Sequence, residues 1–96
     1  MEERLYLVTY DIADDSRWRK VFRLMQGHGE WLQLSVFQCR LSGREAAVLM
    51  QRLDEVIDHG ADHVLVIELG AAESVSLRVK SLGKAFRVVV RETVVV

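Results

Sequence analysis

Arg4-Leu5-Tyr6-Leu7-Val8-Thr9-Tyr10-Asp11-Ile12 is the stretch whose reading decides the fold. It is rich in β-branched and aromatic residues and apolar at both alternating positions, as a strand covered on both faces must be, so it predicts a buried central strand. Its polar end, Asp11, marks where that strand turns into the next element.

Working outward, residues 15–27 predict a helix. Asp14 or Asp15 can cap it, and Trp18, Val21, Phe22 and Met25 recur at i, i+3, i+4 and i+7 on one face. Arg19, Arg23 and Gln26 point away from that stripe, with Arg17 and Lys20 flanking it. Gly27 and Gly29 supply the stop. Residues 30–41 are extended, as one long bent strand or as two short strands with a turn near Leu34-Ser35; no Gly or Asn announces a hairpin there. Ser42 and Glu45 fit a capping box for a second helix over 43–59, with the apolar stripe Ala46, Leu49, Met50, Leu53, Val56 and Ile57, ended by Gly60. His63 to Leu69 is strand-like, 72–81 a short helix or turn, and 85–96 strand-like again. This order predicts one α+β domain over 1–96, a ferredoxin-like βαββαβ with an added C-terminal strand. Residues 86–96 would otherwise form an exposed apolar edge, so they are expected to be exchanged with, or added to, the sheet of a partner subunit in a homodimer.

Composition narrows the function classes. Half of the 96 residues are hydrophobic, which fits a folded domain rather than a disordered chain. No apolar run is long enough to span a bilayer, and the N-terminus lacks the pattern of a signal peptide. The single cysteine, Cys39, reads as a small buried hydrophobe in a protein of the reducing cytoplasm. The net charge of −1 is unevenly spread: Arg17, Arg19, Lys20 and Arg23 stand in 16–29 without an acid, and Arg78, Lys80, Lys84, Arg87 and Arg91 in 74–91 likewise. Such runs can face phosphate, although any one of them alone reads better as an ordinary solvated face.

Asp11 is the leading candidate for chemistry. It stands at the carboxyl end of the first strand, ahead of a helix N-terminus and basic side chains. A carboxylate beside a phosphate-binding surface is repulsive unless a cation such as Mg²⁺ lies between them. The plainer reading is a turn or capping aspartate. One carboxylate is too few for a metal-dependent phosphodiesterase, but two copies of Asp11 across a two-fold axis could share one ion. Ser35 and Phe37 are secondary candidates, but such a serine is usually a plain strand residue and such a phenylalanine more often core. His28 and His59 read as solvated, and His63 merely opens a strand.

Tyr10-Asp11-Ile12, the acids Asp14 and Asp15, the basic Arg17, Arg19 and Lys20, then Gly29, Gln33 and Ser35-Val36-Phe37 fall in the order and spacing of one family. The chain resembles the small CRISPR-associated (Cas) adaptation proteins of the second Cas family, which are Mg²⁺-dependent endoribonucleases. The motifs cover 5–42; the rest agrees in length, helix placement and trailing strand. The resemblance implies a ferredoxin-like homodimer whose two Asp11 carboxylates hold Mg²⁺ (or Mn²⁺), with Arg17, Arg19, Lys20 and Arg23 facing nucleic acid and Tyr10, Ser35 and Phe37 in support. It implies single-stranded RNA or double-stranded DNA as substrate, the Cas integrase as partner and a role in spacer acquisition, with catalysis dispensable in several members. The chain departs from the family pattern at 70–84, which lack a Cys-rich or Pro-rich connection, and at Trp31, where a basic residue is frequent.

Three functional readings follow: a metal-dependent endonuclease, a non-catalytic nucleic-acid scaffold, and a regulatory dimer that binds a small ligand. A toxin-type ribonuclease on the same fold is the nearest rival within the first. An RNA-recognition motif fits the strand order but lacks the aromatic strand signature.

Overall fold

The structure, a computed structural model, describes residues 2–83. Six elements follow in order: β1 (Glu3–Asp11), α1 (Asp15–Gln26), β2 (Glu30–Gln33), β3 (Val36–Ser42), α2 (Gly43–Val56) and β4 (His63–Ala71). They form one antiparallel sheet in the order β2-β3-β1-β4. The expected βαββαβ arrangement is therefore present, with β1 central. The proposed C-terminal strand, 86–96, lies outside the described residues.

Alternation along β1 divides the sheet into two unlike faces. Tyr6, Val8 and Tyr10 turn toward the helices, where they meet Val21 and Met25 of α1, Phe37, Cys39 and Leu41 of β3, and Ala46, Leu49 and Leu53 of α2. Five aromatic rings fasten α1 to the sheet: Trp18 stacks on Phe22 with centroids 5.1 Å apart, and Phe22 meets Trp31 edge-on at 5.7 Å and Phe37 at 5.6 Å, while Tyr10 lies 6.3 Å from Phe37. The other face carries Leu5 and Leu7 of β1 beside Leu65, Ile67 and Leu69 of β4, which are 47%, 40% and 36% exposed.

Several local expectations change. Residues 30–41 are two strands, and the turn between them places Leu34 at φ 34°, a left-handed conformation that a leucine gives no sign of in sequence. Trp31 secures that turn by donating from its indole Nε1 to the Leu34 carbonyl at 2.9 Å. Asp14, not Asp15, caps α1, accepting from the Arg17 amide at 2.9 Å. The Ser42–Glu45 capping box is formed. However, α2 ends at Val56 rather than at 59, because Asp58 captures the chain in a turn, its carboxylate accepting from the Gly60 amide at 2.8 Å. Met50, assigned to the buried stripe, is 48% exposed. Residues 72–74 form a turn, and no helix follows within the described residues. Gly29 does more than stop a helix. A Cβ there would collide with the backbone of Gln38 and the sulfur of Cys39, so only glycine lets the chain pass this close to β3.

Candidate functional site

Asp11 ends β1, and in the antiparallel register its partner is His63, the first residue of β4. On the other side the β2–β3 turn is drawn in, the Tyr10 amide donating to the Ser35 carbonyl at 3.1 Å. Together Thr9, Asp11, Gln33, Leu34, Ser35 and His63 line an open depression of about 390 Å³. Since Tyr10 turns inward, Asp11 takes the opposite face of the sheet, away from the helices. Its carboxylate is exposed and makes no hydrogen bond or ion pair with any described residue.

The supporting residues lie beneath it. Tyr10 and Phe37 are buried, 6% and 0% exposed, so they hold up the strand end and offer no ring to a ligand. The Tyr10 hydroxyl has no hydrogen-bond partner among the described residues, and burial raises its pKa well above that of an ordinary phenol. It stays neutral at ordinary pH. Ser35 Oγ accepts from the Trp18 indole at 2.9 Å, which joins the β2–β3 turn to α1. Burial pushes the Cys39 thiol up to about 12, so it is chemically inert.

Asp62 is the site-forming residue that the sequence hid. Its side chain is 0% exposed and accepts four hydrogen bonds: from the Ala13 amide at 2.9 Å, the Asp58 amide at 2.8 Å, Arg17 Nε at 2.7 Å and Arg17 Nη2 at 3.1 Å. The Arg17 guanidinium first, then the amides of Asp58 and Ala13, hold this carboxyl well below the usual carboxylate range despite burial. One side chain thus ties the loop after Asp11, the first turn of α1 and the approach to β4. In sequence Asp62 is only one acid among several between 54 and 73, and no spacing rule links it to Arg17.

The basic residues divide accordingly. Arg17 has two of its nitrogens engaged by Asp62. Arg19, Lys20 and Arg23 are exposed on α1 and pair with no described acid. Of the histidines, His28 is half-buried with Nδ1 2.9 Å from the Leu24 carbonyl, contrary to its reading as solvated. His59 is exposed and lies 2.6 Å from Asp54. His63 is exposed and has no such partner.

Among the described residues no three His, Cys, Asp or Glu side chains gather as a metal site. The donor set still fits Mg²⁺, which binds through one or two carboxylates and keeps several waters, provided that a second copy supplies the second carboxylate. Asp14 and Asp62 cannot take that part, being committed to backbone amides.

The fold and this strand-end carboxylate define a class: a ferredoxin-like α+β domain with an exposed acid at the strand end on the open side of its sheet. Residues 4–76 match the family model described as CRISPR associated protein Cas2. The chain is 51% identical over 94 residues to the CRISPR-associated endoribonuclease Cas2 1 of Rhodospirillum rubrum, spanning 98% of this chain and 92% of the relative. It is 47% identical to the CRISPR-associated endoribonuclease Cas2 of Geobacter sulfurreducens, spanning 98% and 99%. The crystal structure of Streptococcus pyogenes Cas2 superposes with a TM-score of 0.70 at 32% identity, covering 82% of this chain and 99% of that one. The chain belongs to the CRISPR-associated Cas2 family.

Proposed function

We propose that this chain is a metal-dependent endonuclease of CRISPR adaptation, acting as a homodimer in which two Asp11 carboxylates share one Mg²⁺ or Mn²⁺. The observation that carries this reading is the state of Asp11: exposed, without a partner among the described residues, and on the sheet face away from the helices, while Asp14 and Asp62 are spent on local structure. Leu65, Ile67 and Leu69 support the dimer, because an exposed apolar strip along β4 calls for a cover, and a two-fold copy brings like residues together. Residues 86–96 are the segment expected to add to the partner's sheet edge.

A bound divalent ion supplies charge neutralisation at the phosphate and a more acidic water. The chain itself does the rest. Asp11 presents an acceptor-only carboxylate, and the Arg17–Asp62 clamp fixes the loop behind it. Arg19, Lys20 and Arg23 neutralise phosphates of RNA or double-stranded DNA. The names of the relatives favour nuclease action, and the resemblance adds the Cas integrase as partner, spacer acquisition as role and the cytoplasm as place.

The test is Asp11→Asn on untagged, full-length protein, assayed on single-stranded RNA and on duplex DNA with Mg²⁺ or Mn²⁺. Metal-dependent cleavage should disappear while light scattering still reports a dimer. Deleting residues 86–96 should give monomer or aggregate; a well-behaved truncated dimer would move the interface elsewhere.

A second reading, a scaffold without required catalysis, is favoured by one specific feature. The free cations of α1 lie on the helix side of the sheet, opposite the side that Asp11 faces. On that reading salt-dependent DNA binding survives Asp11→Asn.

A further inference from the structure

We propose that His63 is a second ligand-bearing side chain of the Asp11 site, making it a mixed nitrogen–oxygen site that takes Mn²⁺ in preference to Mg²⁺. The inference rests on the reading of Asp11 as a metal ligand and extends it to a residue whose sequence context marks it only as the start of a strand.

The geometry comes from register. Asp11 and His63 are direct partners across β1 and β4, so their side chains leave the sheet on the same face. Directly paired residues hold their Cβ atoms about 5 Å apart, which lets a carboxylate oxygen and an imidazole nitrogen converge on one cation. Both line the same depression. Both are exposed and without a hydrogen bond or ion pair to a described residue, whereas His28 and His59 have theirs. Among the described residues that line the depression, Asp11 and His63 are the carboxylate and the imidazole, and neither is engaged elsewhere.

The donor chemistry sets the preference. Mg²⁺ favours oxygen donors and retains its waters, while imidazole suits the first-row transition ions. With one nitrogen donor per copy, the site gains little for Mg²⁺ and more for Mn²⁺. A neutral imidazole also adds no negative charge where phosphate must approach.

The experiment uses untagged full-length protein with Mn²⁺ and Mg²⁺ as probes. Wild type should show nitrogen modulation from a directly bound imidazole in the pulsed electron paramagnetic resonance of Mn²⁺. His63→Ala should lose that modulation and about tenfold of its Mn²⁺ affinity by calorimetry, with Mg²⁺ affinity changed less than about twofold. His63→Gln, which keeps a polar side chain at the position, should behave as His63→Ala does. Absence of nitrogen modulation in wild type, with metal binding lost in Asp11→Asn, overturns the role of His63 alone. Mn²⁺ binding that survives Asp11→Asn overturns this inference and the Asp11 site together.

Discussion

Asp11 and Asp62 are two carboxylates at one end of the β1–β4 ladder, Asp11 paired with His63 and Asp62 just before it, and they are used in opposite ways. Asp62, ahead of β4, is sealed from solvent and accepts from two amides and both arms of an arginine fork. Asp11, at the end of β1, is open to solvent and pairs with no described residue. Water satisfies an exposed carboxylate, so Asp11 costs the fold nothing; in the proposed function Asp62 supplies the fixed frame and Asp11 the acceptor.

Removing each acid in turn separates the two roles most directly. Asp11→Asn should lower metal-dependent cleavage by about 100-fold or more, since a neutral amide is a poor ligand, with Tm shifted by less than roughly 2 °C. Asp62→Asn should do the reverse in kind, lowering Tm by roughly 5–10 °C because it breaks a buried network. Thermal melts and initial cleavage rates on the same preparations separate the two. A large Tm loss in Asp11→Asn would make it a structural aspartate and remove the basis of the site.

Acid sharpens the contrast. The Asp62 carboxyl is depressed from its ordinary value of 3.8 in the folded chain, chiefly by Arg17. A group whose folded pKa is depressed contributes stability that is present above its unfolded value and is lost as pH falls below it toward the folded value. Tm should therefore drop as pH is lowered from about 5 to 3, and Asp62→Asn should show a shallower drop over the same window. Parallel pH profiles in wild type and variant would mean that other carboxylates carry the acid sensitivity.

Much of the frame is legible in the sequence, because periodicity encodes it. The central β1, the Trp18–Met25 stripe of α1 and the Ser42–Glu45 cap all follow from local pattern, and all are present. The strand-end position of Asp11 follows as well. What is illegible depends on tertiary placement. Asp62 and Arg17 are 45 residues apart and meet only when β4 lies beside β1. His63 faces Asp11 through a register that no single strand specifies. The turn at Leu34 uses a residue that costs strain there, so no turn chemistry announces it. Local rules thus find the elements and the exposed acid, while the side chains that frame it come from pairing between distant segments.

The smallest expected effect tests whether the division extends from the acids to the cations. In sequence Arg17 and Lys20 are equivalent members of one basic run, but Arg17 belongs with Asp62, and Lys20 is exposed on α1 with no partner among the described residues. A free lysine on a phosphate releases one counterion when it binds, so Lys20→Ala should reduce the salt slope of DNA binding by roughly one unit, with little dependence on sequence. Arg17→Ala should leave that slope nearly unchanged and instead lower Tm, since it strips the fork from a buried carboxylate that keeps only its amide donors. Arg17→Lys should restore little, because an ammonium cannot reproduce the two-nitrogen grip on Asp62. Binding isotherms at a series of salt concentrations, with a melt of each variant, decide the matter. If Arg17→Ala flattens the slope as much as Lys20→Ala while its Tm holds, Arg17 is a phosphate contact after all, and the frame around Asp11 rests on the two amides alone.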